Sequence, residues 1–133
     1  MKRIFSLFVL LFCTVALAQT TTVPVSAVLS WTAVTTGTSG GTTVTITGVT
    51  YTDYVEVQPA GGTCSAASMT QVDTGLTATT DTLSLNLTPG STECFGVTAT
   101  AGGVTGAMSN IVTVAVPAVT PGTTTVTVTV TIT

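Results

Sequence analysis

The chain closes on an uninterrupted alternation, T-T-T-V-T-V-T-V-T-I-T from Thr123 to Thr133, and a shorter version, T-T-V-T-I-T, runs from Thr42 to Thr47. A period of two puts Val126, Val128, Val130 and Ile132 on one face and Thr125, Thr127, Thr129 and Thr131 on the other. This is the pattern of a strand with one buried side. Every residue in it is branched at Cβ, which restricts χ1 in a helix but suits a pleated strand. No long stretch of the chain shows a 3.6-residue period, and Gly and Pro interrupt it at short intervals. The expectation is an all-β fold.

Short strands follow one another along the sequence. Thr22 to Val25 reads as an opening strand whose Pro24 suits a sheet edge. Ala27, Leu29 and Trp31 then alternate with Val28, Ser30 and Thr32. Thr35 to Gly41 reads as a turn-rich break before Thr42 to Thr47. In Tyr51 to Gln58, Asp53, Val55 and Val57 share one face, and Tyr54, Glu56 and Gln58 share the other. Met69 to Val72 forms a short strand, and Leu83, Leu85 and Leu87 make one apolar face. Across a Pro89-Gly90 turn, Phe95, Val97 and Ala99 line the next strand, and Ile111 to Val116 closes the series before Pro117. Strands this short, between turns this frequent, predict a sandwich.

Beyond Arg3 the sequence contains no Lys, Arg or His. Lys2-Arg3, the apolar run Ile4 to Leu17 and the small-x-small Ala16-Leu17-Ala18 read as a secretion signal over residues 1–18, cleaved before Gln19. The apolar run is shorter than the ~20 residues a bilayer span needs, so no membrane span is expected after cleavage. Phe12 is too bulky for a lipid-attachment site at Cys13. About 115 residues then remain, enough for one domain with its own core. They carry Asp53, Glu56, Asp73, Asp81 and Glu93, with no cationic side chain to pair them.

That imbalance excludes whole classes of chemistry. There is no imidazole base, no Schiff-base lysine, no phosphate clamp and no basic patch, so neither nucleic acid nor a phosphorylated cofactor is expected. The Ser residues have no base to activate them, and no acid pair is placed to flank a glycosidic bond. No Asp-rich loop offers a calcium site. The expectation is a protein with no catalytic residues, no cofactor and no metal. With Cys13 lost to the signal, Cys64 and Cys94 form an even pair in an exported chain, which favours a disulfide over two free thiols or a zinc pair without His.

Three stretches together resemble a bacterial secreted fibronectin type III domain. They are L-S-W-T-A around Trp31, L-T-P-G-S-T-E-C-F-G-V-T-A from Leu87, and S-N-I-V-T-V from Ser109. The G-G-T-C at Gly61 to Cys64, paired with Cys94, is similar to a variant of such modules. The resemblance spans Thr22 to Pro117. It implies a seven-stranded immunoglobulin-like Greek-key β-sandwich with a binding, spacing or adhesive role and no catalysis. Glu93 stands where the family usually has a Tyr whose hydroxyl ties the turn down. The turn is then either looser or held by Glu93 accepting from backbone N–H groups. The stretch from Trp31 to Tyr54 is longer than the family's loop, and the tail after Pro117 lies outside its pattern.

The domain reading is a signal over 1–18, a fibronectin type III-like sandwich over 19–117, and a linker with a Thr/Val strand over 118–133. The tail strand, with Val126, Val128, Val130 and Ile132, is the candidate interaction element. It either pairs within the chain, with Thr42 to Thr47 as the matching partner, or is donated to a neighbouring copy, or forms a Thr-rich stalk. Its high β-propensity argues against the stalk, and its lack of charge argues that it is covered. Trp31 and Phe95 are expected in the core and Tyr51 and Tyr54 at the surface, where a glycan could stack on them. The function expected is a secreted or cell-surface structural module that works through its β edges and its last strand. It would be a subunit of an extracellular assembly or filament, with self-association by strand pairing. The alternative is a monomeric adhesion module for a glycan or protein. Removing Thr123 to Thr133 is expected to abolish assembly and leave the sandwich folded.

Overall fold

A computed structural model describes residues 22–118 and 127–132 of the chain, so the expected signal and most of the linker lie outside the described residues. Everything regular within them is β-strand. Ten strands follow in order: β1 (Val23–Trp31), β2 (Thr36–Ser39), β3 (Thr42–Thr45), β4 (Thr50–Gln58), β5 (Thr70–Leu76), β6 (Thr80–Leu87), β7 (Thr92–Ala101), β8 (Val104–Thr105), β9 (Val112–Ala115) and β10 (Thr127–Ile132).

The strands form two principal sheets. One has the order β10-β1-β6, and the other the order β5-β4-β7-β8 with β9 also on β7. β8 and β9 share the edge of β7 away from β4. β9 runs along Thr92 to Phe95, and β8 takes Thr100 and Ala101. The gap between them is bridged by Ser109, whose N–H donates to the Val97 carbonyl at 2.9 Å and whose Oγ accepts from the Val97 N–H at 3.0 Å. One side chain thus stands in for a missing stretch of ladder.

Period two decides what is buried. Along β1, Val25, Ala27, Leu29 and Trp31 point inward between exposed or half-buried neighbours. Their counterparts on β6 are Leu83 and Leu87, on β7 Phe95 and Val97, and on β10 Val130 and Ile132. Side chains from both sheets make the main core, in which Trp31 and Tyr51 tilt against each other with ring centroids 5.4 Å apart, while Val25, Leu87 and Val116 form a second, smaller cluster joined to it through Leu85. The outer face of the three-stranded sheet carries Ser26, Thr82, Ser84, Thr129 and Thr131. Hydroxyl groups there do the solvation that charges do elsewhere.

The turn chemistry follows the glycines. β2 and β3 are joined by Gly40-Gly41 and β7 and β8 by Gly102-Gly103, all four at positive φ. Two-residue hairpins with positive φ at both central positions match the right-handed twist of the strands, and Gly adopts them without a Cβ clash.

Several local expectations change. The two strands expected at Thr22 to Val25 and from Ala27 are one, β1, because Pro24 sits on it without ending it. The supposed break at Thr35 to Gly41 holds β2, which pairs with β3 as a separate hairpin. Met69 to Val72 gives way to a strand from Thr70 to Leu76 that is bulged against β4. β10 pairs in parallel with β1, from Ser26↔Thr127 to Trp31↔Ile132, and not with Thr42 to Thr47.

Candidate functional site

The last strand is the element to build from. β10 lies at the edge of its sheet, with β1 as its only ladder partner among the described residues. Val130 and Ile132 sit 2% and 1% exposed within the common core, while Thr129 and Thr131 face out. The Ser30 hydroxyl donates to the Val130 carbonyl at 3.5 Å. The strand completes the core, and among the described residues no strand ladders onto its other backbone edge. Val128 is placed by its register opposite Ala27, and Val126 lies outside the described residues.

A row of inward positions crosses this sheet. Asp81 on β6 is opposite Leu29 on β1, and Leu29 is opposite Val130 on β10. From the facing sheet Asp53 enters the same core, in phase with Val97 on β7. Asp53 is fully buried, and no N–H or hydroxyl donor reaches either of its oxygens. One oxygen of Asp81, Oδ2, is likewise buried and unpartnered. Burial pushes the Asp53 carboxyl up to about 7, with a hydrogen bond and the charge of Asp81, and the charge of Asp73, adding to the rise. Two ionised carboxylates can only accept, so the contact becomes a hydrogen bond only when one of them takes up a proton.

The other acids have separate roles. Glu93 is buried in β7 with Oε1 unpartnered, and burial raises its carboxyl above the ordinary range. It does not tie down the Pro89-Gly90 turn. That turn is stitched by backbone: Gly90 N–H to the Val116 carbonyl at 3.0 Å and Val116 N–H to the Ser91 carbonyl at 2.8 Å. Glu56 faces outward and is held below the ordinary range, first by the Ser68 hydroxyl and then by the Ser65 N–H at 3.1 Å, with Gln58 Nε2 at 2.6 Å also donating. It organises the loop that brings Cys64 to Cys94, and the disulfide between them spans a Cα–Cα distance of 6.0 Å. No group of three or more His, Cys, Asp or Glu that could hold a metal gathers among the described residues.

The aromatic expectations divide. Trp31 and Phe95 are in the core. Tyr51, expected at the surface, is buried at 4% exposure, and its hydroxyl accepts from the Val34 N–H at 2.9 Å. Its phase with Asp53 and Val55 already placed it on the inner face. Tyr54 is half-buried on the outer face of β4, opposite Gly96, so the two tyrosines do not form one platform. An apolar cleft of about 540 Å³ lies between the β2–β3 and β7–β8 hairpins, lined by Val34, Val44, Ile46, Ala101 and Val104 among others. It contains no acid.

The apposition of Asp53 and Asp81 escapes a reading of single strands, although its signal is present. Asp53 keeps phase with Val55, and Asp81 keeps phase with Leu83, Leu85 and Leu87. Each acid was therefore on the apolar face of its own strand. No helix among the described residues is long and apolar enough to cross a membrane. Compared with known proteins, the chain matches no family model, no curated protein and no solved structure.

Proposed function

We propose that this protein is a secreted or surface-exposed structural module, a fibronectin type III-like Greek-key sandwich that assembles with its own copies through the last strand. The observation that carries this reading is the position of β10. It supplies Val130 and Ile132 to the core, yet it is an edge strand reached through a segment containing Pro121-Gly122. Residues 119–126 can reach up to roughly 28 Å when extended. A strand on such a tether fits the same seat in a neighbour, and an exchange conserves every contact at the seat. Reciprocal exchange gives a dimer, and head-to-tail exchange gives a filament. The disulfide and the absence of cationic side chains beyond Arg3 support an oxidising, extracellular setting and a role without catalysis.

The test uses the register. Val28 and Thr129 are Cα partners across the β1–β10 ladder. Residues 19–133 carrying Val28→Cys are mixed at high concentration with the same chain carrying Thr129→Cys, then oxidised. Strand exchange predicts a covalent heterodimer between the two variants. Recovery of single chains alone, with light scattering showing a monomer at every concentration, rules the reading out.

A further inference from the structure

We propose that Asp53 and Asp81 form a proton-held latch on β10: while the Asp53 carboxyl carries a proton the two sheets stay closed over Val130, and loss of that proton loosens the strand. The release into exchange between copies rests on the assembly reading above. The latch itself is a property of the single chain.

The argument starts from the row Asp81, Leu29, Val130. Whatever moves Asp81 relative to the opposite sheet acts on the level at which β10 inserts its first described core side chain. Asp53, the ladder partner of Val97, enters the cluster that holds Leu29, Val97 and Val130, fully buried and with no donor on either oxygen; Asp81, with Oδ2 buried and unpartnered, is the acid that acts on it there. No element packed around them supplies a compensating positive side chain. β1 and β10 contain no titratable side chain. On β7 the only acid is Glu93, four residues along the strand from the Val97 that pairs with Asp53, and Cys94 is in the disulfide. β5 contributes the exposed Asp73, whose charge opposes ionisation of Asp53. On β4 itself Tyr51 shares the inner face, while Tyr54 and Glu56 lie on the other. No cation stands nearby, since the chain has none beyond Arg3, and no third acid gathers to make a metal site among the described residues.

A proton is therefore what neutralises the pair. Protonated, Asp53 donates a hydrogen bond to Asp81, and no pair of like charges is buried between the sheets. On deprotonation the proton leaves to solvent and two like charges face each other in a medium that screens them poorly. The strain falls on the strand least tied to its neighbours. β6 is held by three- and four-residue connections to β5 and β7, and β1 is laddered on both sides. β10 has one ladder, and it is reached through an eleven-residue connection, against three and four for β6.

Hydrogen–deuterium exchange of residues 19–133, corrected for intrinsic rates, reads the latch without any need for assembly. Between about pH 5.5 and about pH 8.5 we expect protection of the β10 amides to fall at least about tenfold more than that of the β4–β7 ladder. Asp53→Asn should abolish this difference. Asp81→Asn gives the same reading should the first variant fold poorly, and Glu93→Gln should retain the difference. Equal loss of protection throughout the molecule, unchanged protection of β10 in the native chain, or a difference that survives both Asn variants would each overturn the latch. The heterodimer test decides the assembly reading separately, since a latched strand that never exchanges still shows the change in protection.

Discussion

A buried acid without a cation makes stability depend on pH in an unusual direction. Asp53 is held at about 7, above the ordinary value of 3.8. The folded state therefore keeps a proton that the unfolded state has released. The stability associated with this group is fully present below about pH 4 and is lost as pH rises to about 7. Glu93, raised by burial, acts in the same sense. Glu56, lowered by its hydrogen bonds, acts in the opposite sense, and its contribution disappears as pH falls below the ordinary carboxylate range. The melting temperature followed by circular dichroism should thus be higher near about pH 5 than near about pH 8, by on the order of 5–10 °C. Asp53→Asn should remove most of that difference by stabilising the protein on the alkaline side. A melting temperature that climbs steadily toward pH 8 would show that the carboxyl is not buried in this way. A second residue-scale expectation concerns the disulfide. Cys64 and Cys94 are 30 residues apart, and replacing both by Ser should cost about 3–4 kcal/mol in urea unfolding, the chain-entropy value for a loop of that size.

At the level of the element, β10 belongs to the core. Val130→Ala and Ile132→Ala should each cost about 1–4 kcal/mol in urea unfolding, while Thr131→Ala, on the outward face, should stay within about 0.5 kcal/mol. Removing Thr123 to Thr133 uncovers Leu29 and Trp31. We therefore expect the truncated chain to melt well below the full one, against the first expectation that the sandwich stands without its tail. The alternation of Val and Thr made the face of each strand legible, because parity along a strand depends only on the chain itself. It did not make the neighbour legible. The matching alternation of Thr42 to Thr47 made that segment the expected partner, and only the assembled core selects β1. For the same reason the face of Asp53 was legible, whereas Asp81 read as a turn residue, and the meeting of the two depends on how two sheets are stacked. The strand β2 was hidden by its Gly and Ser content, which reads as a loop until the Gly40-Gly41 turn pairs it with β3.

For the molecule as a whole, the decisive feature is the sequence distance between β1 and the strand that completes its sheet. Ser30 and the Val130 carbonyl it reaches are 100 residues apart. Closing a loop of that size costs roughly 4 kcal/mol in chain entropy before the rest of the chain has ordered. An all-β topology rich in such pairings folds in milliseconds to seconds, with its most distant pairing the least favoured early on. During that interval β1 presents an open seat, and every other copy carries a strand that fits it. The tethered strand competes at an effective concentration on the order of millimolar, set by the linker. Refolding from urea at about 1 µM should accordingly return monomers, while refolding at about 1 mM should give a substantial share of exchanged dimers and larger species. These should persist on dilution near pH 5, where the Asp53–Asp81 pair holds β10 in place, and relax toward monomer faster near about pH 8. Size-exclusion chromatography with light scattering reads both steps. An identical monomer fraction at the two refolding concentrations would mean that β10 reaches its own β1 before any neighbour can.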